Sequence, residues 1–182
     1  MTSEGKGAMI KLGGNTVLFG GHDFRTAMQH LKWAGCDGAE ISAIKGMCEH
    51  LCLDDWKRQA ADIKAIVEDL ELPLTGMEEA AQDEDRLMNA FEAGAEIGIP
   101  VVNIGPGGSK ENNPDDLQKS IDFMAKMAEK AEPFGVSLCV KAHVGASIWN
   151  TETTLEAMRQ IDSPAFGIDM DPSHVHRAGE VP

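Results

Sequence analysis

A chain of 182 residues is long enough for one sizeable core and too short for two comfortable domains. Its hydrophobic fraction of 42% and charged fraction of 25% match soluble globular proteins, and no run approaches the roughly 18 apolar residues of a membrane span. Acids outnumber bases 30 to 16, a formal charge of −14, which argues against nucleic acid as a partner, because displacing counterions from phosphates takes a basic surface.

The opening residues, MTSEGKGA, lack the apolar segment of a secretory signal. Residues 1–8 read as a disordered leader to one domain over 9–182, and the expected location is the cytoplasm. Cys36, Cys48, Cys52 and Cys139 follow no framework spacing and are expected as free thiols. Cys48 and Cys52 would sit one helical turn apart around His50, but no second ligand pair follows at zinc-site spacing.

Residues 10–15 read as a first strand, with Lys11, Gly13 and Asn15 on one face. Asp23 is the predicted N-cap of a helix to Ala34, whose apolar residues Phe24, Ala27, Met28 and Leu31 recur at helical spacing until Gly35 stops it. Residues 38–42 form a second strand with Glu40 on the polar face. A short helical turn is expected over 46–51, and Asp54 is expected to cap a long helix to Leu70. Residues 73–78 are the third strand, Asp83 opens a helix to Ile97, and 101–105 are the fourth strand with Asn103 inward. The loop GPGGS at 105–109 could offer backbone N–H groups to a phosphate or be a plain turn.

Asn113 and Pro114 begin a helix to Ala131 in which Met124 and Met127 read as core filler. Residues 136–142 form the fifth strand, Thr151 is the predicted cap of a helix to Ile161, and Phe166 starts the sixth strand. Strand and helix thus alternate six times with short connections, the pattern of a parallel α/β sheet built from right-handed crossovers. An open doubly wound sheet and an incomplete barrel both fit. In the fifth strand Val136, Leu138 and Val140 face one way and Cys139, Lys141 and His143 the other; in the sixth, Gly167, Asp169 and Asp171 share the polar side. A polar inner face on nearly every strand favours the barrel, whose sites lie at the C-terminal rim of the strands. Asn15, Glu40, Glu78, Asn103, His143 and Asp171 are expected at that rim, and Trp149, in a neighbouring loop, is either a stacking wall for a sugar ring or packing.

The segments WAGCDGAE at 33–40, GVSLCVKAH at 135–143 and GIDMDPSH at 167–174 resemble the xylose-isomerase-like TIM barrels, often labelled sugar phosphate isomerases/epimerases. The most specific piece is Asp171-Pro-Ser-His174. The resemblance implies a (β/α)8 barrel of about 250 residues, of which six units are legible here. Strands seven and eight, which in that family bring a His and a Glu to the metal, are not among them, so a homo-oligomer or a missing C-terminal segment is the expected way to complete the barrel.

The resemblance further implies a metal-dependent isomerase or epimerase acting on a sugar or keto sugar, possibly phosphorylated, through an enediolate. A lyase or dehydratase on a 3-keto sugar, glycoside or inosose is the alternative, and a non-catalytic carbohydrate-binding barrel a third. A small-molecule carbohydrate is the expected partner and a divalent ion (Mn²⁺, Mg²⁺ or Zn²⁺) the expected cofactor. Asp171 matches the family's metal-binding Asp, and His143 and His174 are the other candidate ligands. His174 doubles as a candidate substrate contact with Asn15, Asn103 and Trp149. Lys141 stands where the family commonly carries a metal-binding Glu, and a charged lysine cannot ligate. Lys141 is therefore expected to pair with Asp169, to act as a base or carbonyl-polarising group beside the catalytic candidates Glu40 and Glu78, or to mark a lost metal site.

Overall fold

Six strands run parallel in the computed structural model, which describes residues 10–108 and 111–182. The expected leader lies outside the described residues, as do the last residue of the glycine-rich loop and the one after it. The strands are β1 (Gly13–Asn15), β2 (Gly38–Ile44), β4 (Leu74–Ala80), β5 (Val101–Ile104), β6 (Ser137–Lys141) and β7 (Phe166–Asp169), hydrogen-bonded in that spatial order. Helices α1 (Phe24–Trp33), α2 (Trp56–Leu70), α3 (Glu84–Ile97), α4 (Pro114–Ala131) and α5 (Thr151–Gln160) cross over between them, and α6 (Pro172–Arg177) follows β7. β1 and β7 do not pair with one another among the described residues, so the sheet is an open arc of a TIM barrel.

Register carries the alternation across the sheet. Ile41 lies opposite Met77, Met77 opposite Val102, and Val102 opposite Leu138, all fully buried beneath the helices with Met28, Leu87, Phe91, Met124 and Met127. Each such side chain contributes about 1.5–3 kcal/mol by leaving water. On the other face Asn15 lies opposite Glu40, Glu78 opposite Asn103, Asn103 opposite Cys139, and Lys141 opposite Asp169.

Four local expectations are corrected. The first strand is shorter than residues 10–15, because pairing with β2 begins only at Gly13 and Leu12 is exposed. The turn expected over 46–51 is a hairpin: Gly46 takes a φ of 78°, and β3 (Cys48–Glu49) returns antiparallel to β2, held by Ser42 Oγ donating to the Cys48 carbonyl at 2.7 Å. Helix α5 is capped by Asn150 rather than Thr151. The Asn150 side chain accepts from Thr153 N at 2.9 Å, and Thr153 Oγ1 reciprocates by accepting from Asn150 N at 3.2 Å. Asp55, not Asp54, stands at the start of α2, since the Asp54 carboxylate is taken by Lys45 at 2.7 Å and Arg86 at 3.5 Å.

Arg86, in the first turn of α3, is buried and ties the rim together. Its Nε and Nη2 donate to Glu79 at 2.7 and 2.8 Å, and Nη2 also donates to the Ala43 carbonyl at 3.0 Å. One guanidinium thereby holds the ends of β2 and β4. β4 is bulged here: its register with β5 shifts between Glu78 and Ala80, and Ala80 has a φ of 68°. Removing one partner of a buried pair leaves the other charge unpaired at a cost of about 3–5 kcal/mol. Arg86→Leu should lower unfolding free energy by about that amount in urea titrations, and Arg86→Leu with Glu79→Leu should recover most of it; equal losses in the two variants would show that the pair itself is not what matters.

Candidate functional site

Side chains on the inner face of the arc are joined by a chain of hydrogen bonds that reaches the C-terminal rim at Asn15, Glu78 and Lys141. Glu40, expected at that rim, is the third of seven residues of β2 and lies a layer below it. Asn103 Nδ2, on β5, donates to Glu40 Oε1, on β2, at 2.5 Å. Asn15 Nδ2, at the end of β1, donates to Glu40 Oε2 at 2.7 Å and to Glu78 Oε2, on β4, at 2.6 Å. Lys141 Nζ, at the end of β6, donates to Glu78 Oε1 at 2.8 Å. The orientation of the Asn15 amide is fixed from its other side, because its Oδ1 accepts from Val17 N at 2.8 Å. Five side chains from five strands thus form one relay.

The relay faces a cavity of about 610 Å³, lined by Asn15, Glu78, Lys141, His143, His174 and the glycine-rich loop. That volume lies within the usual range of small-molecule sites. The loop approaches closely because it lacks side chains: Gly107 has a φ of 65°, and a Cβ there would collide with Gln82. Glu40, Asn15 and Asn103 also border a smaller cavity of about 240 Å³. Asn103 Oδ1 is buried and has no hydrogen-bond partner among the described residues.

Electrostatics sort the ionisable groups. Burial pushes the Glu40 carboxyl above its ordinary value, against the lowering effect of Asn103. Burial also raises Asp169, with Lys141 working against it. Burial pulls the Lys141 ammonium down, but Glu78, Asp169 and Glu40 together outweigh it and hold the pKa above its ordinary value. Lys141 is therefore a cation at neutral pH, which removes the expected role of general base. Its hydrogen-bonded partner is Glu78 and not Asp169, a correction with a geometric reason: Asp169 is register-matched beside Lys141, while the long lysine side chain reaches across to β4. Burial drives the Cys139 thiol up to about 11, so it is protonated and inert.

The histidines lie at the rim beyond the strand ends. β6 stops at Lys141, so His143 is in an exposed turn, not on the strand face. Its ring packs on His174, with centroids 3.9 Å apart. His174 is buried; burial and the neighbouring His143 hold its pKa below the ordinary value. Asp171 is the N-cap of α6. Its Oδ1 accepts from Ser173 N at 2.8 Å, Ser173 Oγ at 2.6 Å and His174 N at 3.3 Å. Burial works against this carboxylate, but those bonds outweigh it and hold its pKa below the ordinary value. Trp149 is not among the residues lining the cavity; its indole N–H is buried without a partner among the described residues.

The divalent ion implied by the sequence resemblance does not fit this arrangement. Among the described residues no three His, Cys, Asp or Glu side chains are grouped to hold one, and this includes Cys48, His50 and Cys52. Lys141 engages the nearest inner carboxylate, and Asp171 Oδ1 is engaged as a cap.

A family model described as "xylose isomerase-like TIM barrel" matches residues 28–182. The chain belongs to that family. No curated protein matches it, but several solved structures share the barrel arc. The probable 3-DHS dehydratase AsbF of Bacillus anthracis is 14% identical with a TM-score of 0.76, over 94% of this chain and 66% of that one. The IOLI protein with a bound zinc atom is 16% identical with a TM-score of 0.76, over 94% and 66%. D-allulose 3-epimerase from a Methylomonas species, in complex with D-allulose, is 16% identical with a TM-score of 0.72, over 92% and 64%. At these identities the likeness is one of fold, and the chain spans just under two thirds of each of these xylose isomerase-like barrels. Among the described residues no helix is long and apolar enough to cross a membrane.

Sequence alternation brought Asn15, Glu40, Glu78, Asn103 and Lys141 to one face, and the structure joins them. It missed Arg86, although an arginine within the apolar stripe of α3 beside Leu87, Ala90 and Phe91 was a readable sign of a buried partner. The electrostatics give a direct check at Glu40. Because its folded pKa is raised, its contribution to stability is present below the ordinary value of 4.5 and is lost as pH rises through the folded midpoint. Carboxyl ¹³C titration should put the Glu40 midpoint above 4.5, and a midpoint at or below 4.5 would contradict the buried relay.

Proposed function

We propose that this chain provides the sugar-binding face of an isomerase or epimerase that moves a proton between neighbouring carbons of a sugar or keto sugar through an enediolate. The reading rests on one observation: amide, carboxylate and ammonium groups from five strands are hydrogen-bonded into a relay beside a cavity of about 610 Å³. A polyhydroxylated ligand needs donors and acceptors at fixed spacing, and such a relay presents both. Asn103 Oδ1, buried beside the smaller cavity, has no partner among the described residues, and Asn103 does not line the main cavity. Glu40, anchored by two amides, orients its neighbours and is not free to travel.

Glu78 is the group suited to carry the proton. It lines the cavity, and Lys141 and Asn15 hold both its oxygens at fixed positions. Glu78 takes the proton from the carbon beside the carbonyl as the C–H electron pair becomes a C=C bond and the carbonyl electrons move onto oxygen. Delivery of that proton to the former carbonyl carbon, with the hydroxyl proton passing between the two oxygens, completes isomerisation; epimerisation needs the first carbon to be reprotonated on its opposite face by a second donor. No step is drawn through a metal ion, because the described residues do not fit one. The similarity to an epimerase in complex with D-allulose supports a carbohydrate ligand.

A lyase or dehydratase reading shares the first proton abstraction and differs in expelling a group from the next carbon. The cation at Lys141 suits either outcome, and product analysis separates them. Incubation with D-allulose, D-fructose and D-tagatose in D₂O should wash deuterium into the carbon next to the carbonyl of at least one ketose, and Glu78→Gln should slow this at least tenfold, on the scale of a lost general base. Absence of both exchange and binding across the three ketoses would overturn the carbohydrate reading.

A further inference from the structure

The relay contains one cation, Lys141. Lys141 ends β6 with its Nζ on the inner face, register-matched to Asp169 and hydrogen-bonded to Glu78 Oε1 at 2.8 Å. Its side chain is 28% exposed and that of Glu78 14%, so the pair is largely shielded yet both residues line the main cavity. Glu40, Glu78 and Asp169 surround a single ammonium, which therefore has strong reasons to remain in place and charged.

We propose that Lys141 is the resident electrophile of this site, taking the place of a divalent metal ion, and that it receives the carbonyl oxygen of a ketose by a direct hydrogen bond. This deepens the carbohydrate reading and rests on it. An ammonium carries three N–H donors, of which one is engaged among the described residues, at Glu78. Another can meet a ligand oxygen in the cavity without breaking that bond. As the α-proton leaves for Glu78, the carbonyl oxygen gains negative charge and Lys141 opposes it from a fixed position, with no metal and no external proton needed. The base and the electrophile are then hydrogen-bonded neighbours, which keeps proton donor site and oxyanion site within one ketose C–C–O unit of each other. Among the described residues no three ligating side chains are grouped, so ketose binding should be indifferent to chelators.

The test uses the 182-residue chain labelled with ¹⁵N-lysine. After EDTA treatment, D-allulose should shift the Lys141 ammonium resonance, and a hexitol without the carbonyl should bind at least several-fold more weakly. Electron paramagnetic resonance of added MnCl₂ should show Mn²⁺ free up to millimolar concentration. Lys141→Met should abolish the preference for the ketose and Lys141→Arg should retain part of it, with melting curves confirming that both variants fold. Ketose binding that appears only with Mn²⁺, or micromolar Mn²⁺ binding lost in Asp171→Ala, would overturn the inference and leave the carbohydrate reading intact. If neither sugar binds, with or without Mn²⁺, the carbohydrate reading falls and this inference falls with it.

Discussion

The hydrogen bond from Lys141 to Glu78 brings β6 and its cation into a relay that otherwise joins only amides and carboxylates of β1, β2, β4 and β5. β6 and β4 are not neighbours; β5 lies between them. A long side chain crossing that strand and ending on a carboxylate extends the relay that begins at Asn103 and passes through Glu40, Asn15 and Glu78. Without the cation three carboxylates would face one another in a partly buried space, and one or more would have to bind a proton to relieve the repulsion. With it, the ammonium is held charged by its neighbours, and Glu78 is held in place by Lys141 and Asn15.

The outer shell makes that geometry possible. Glu78 and Glu79 are adjacent on β4 and so point to opposite sides of the sheet. Glu79 is gripped by Arg86 beneath the helices, while Glu78 turns into the cavity. The bulge at Ala80 and the carbonyl of Ala43 belong to the same grip, so the buried ion pair fixes where the rim of β4 ends and where Glu78 points. On the β1 side the equivalent clamp is smaller: the Asn15 carbonyl oxygen of the amide is used by Val17 N, leaving its NH₂ for the two glutamates.

Period-two alternation was enough to read the six parallel strands and the common face of Asn15, Glu40, Glu78, Asn103 and Lys141, because in a parallel sheet paired residues share a face. What it could not reach were contacts decided by side-chain length and by competition. Asp169 is beside Lys141 in register, yet Lys141 spans to Glu78; spacing along one strand carries no information about reach across another. Asp54 has the composition of a helix cap, but Lys45 and Arg86 compete for it. The hairpin of β3 is only two residues long and its turn depends on Gly46 in a left-handed conformation, a signal equally compatible with a helical turn. His143 continues the strand pattern on paper, but β6 ends two residues earlier, and the ring packs at a tilt on His174, both lining the cavity beyond the strand end.

Lys141 and Glu78 act as one unit, and a double-mutant cycle measures their coupling. Unfolding free energies of the wild type, Lys141→Met, Glu78→Gln and the double variant give the coupling between the two side chains. A coupled pair in this setting is expected to show about 0.5–3 kcal/mol of interaction energy, with the double variant losing less than the sum of the single losses. Strict additivity, with no coupling beyond the error of about 0.3–0.5 kcal/mol seen for independent sites, would contradict it.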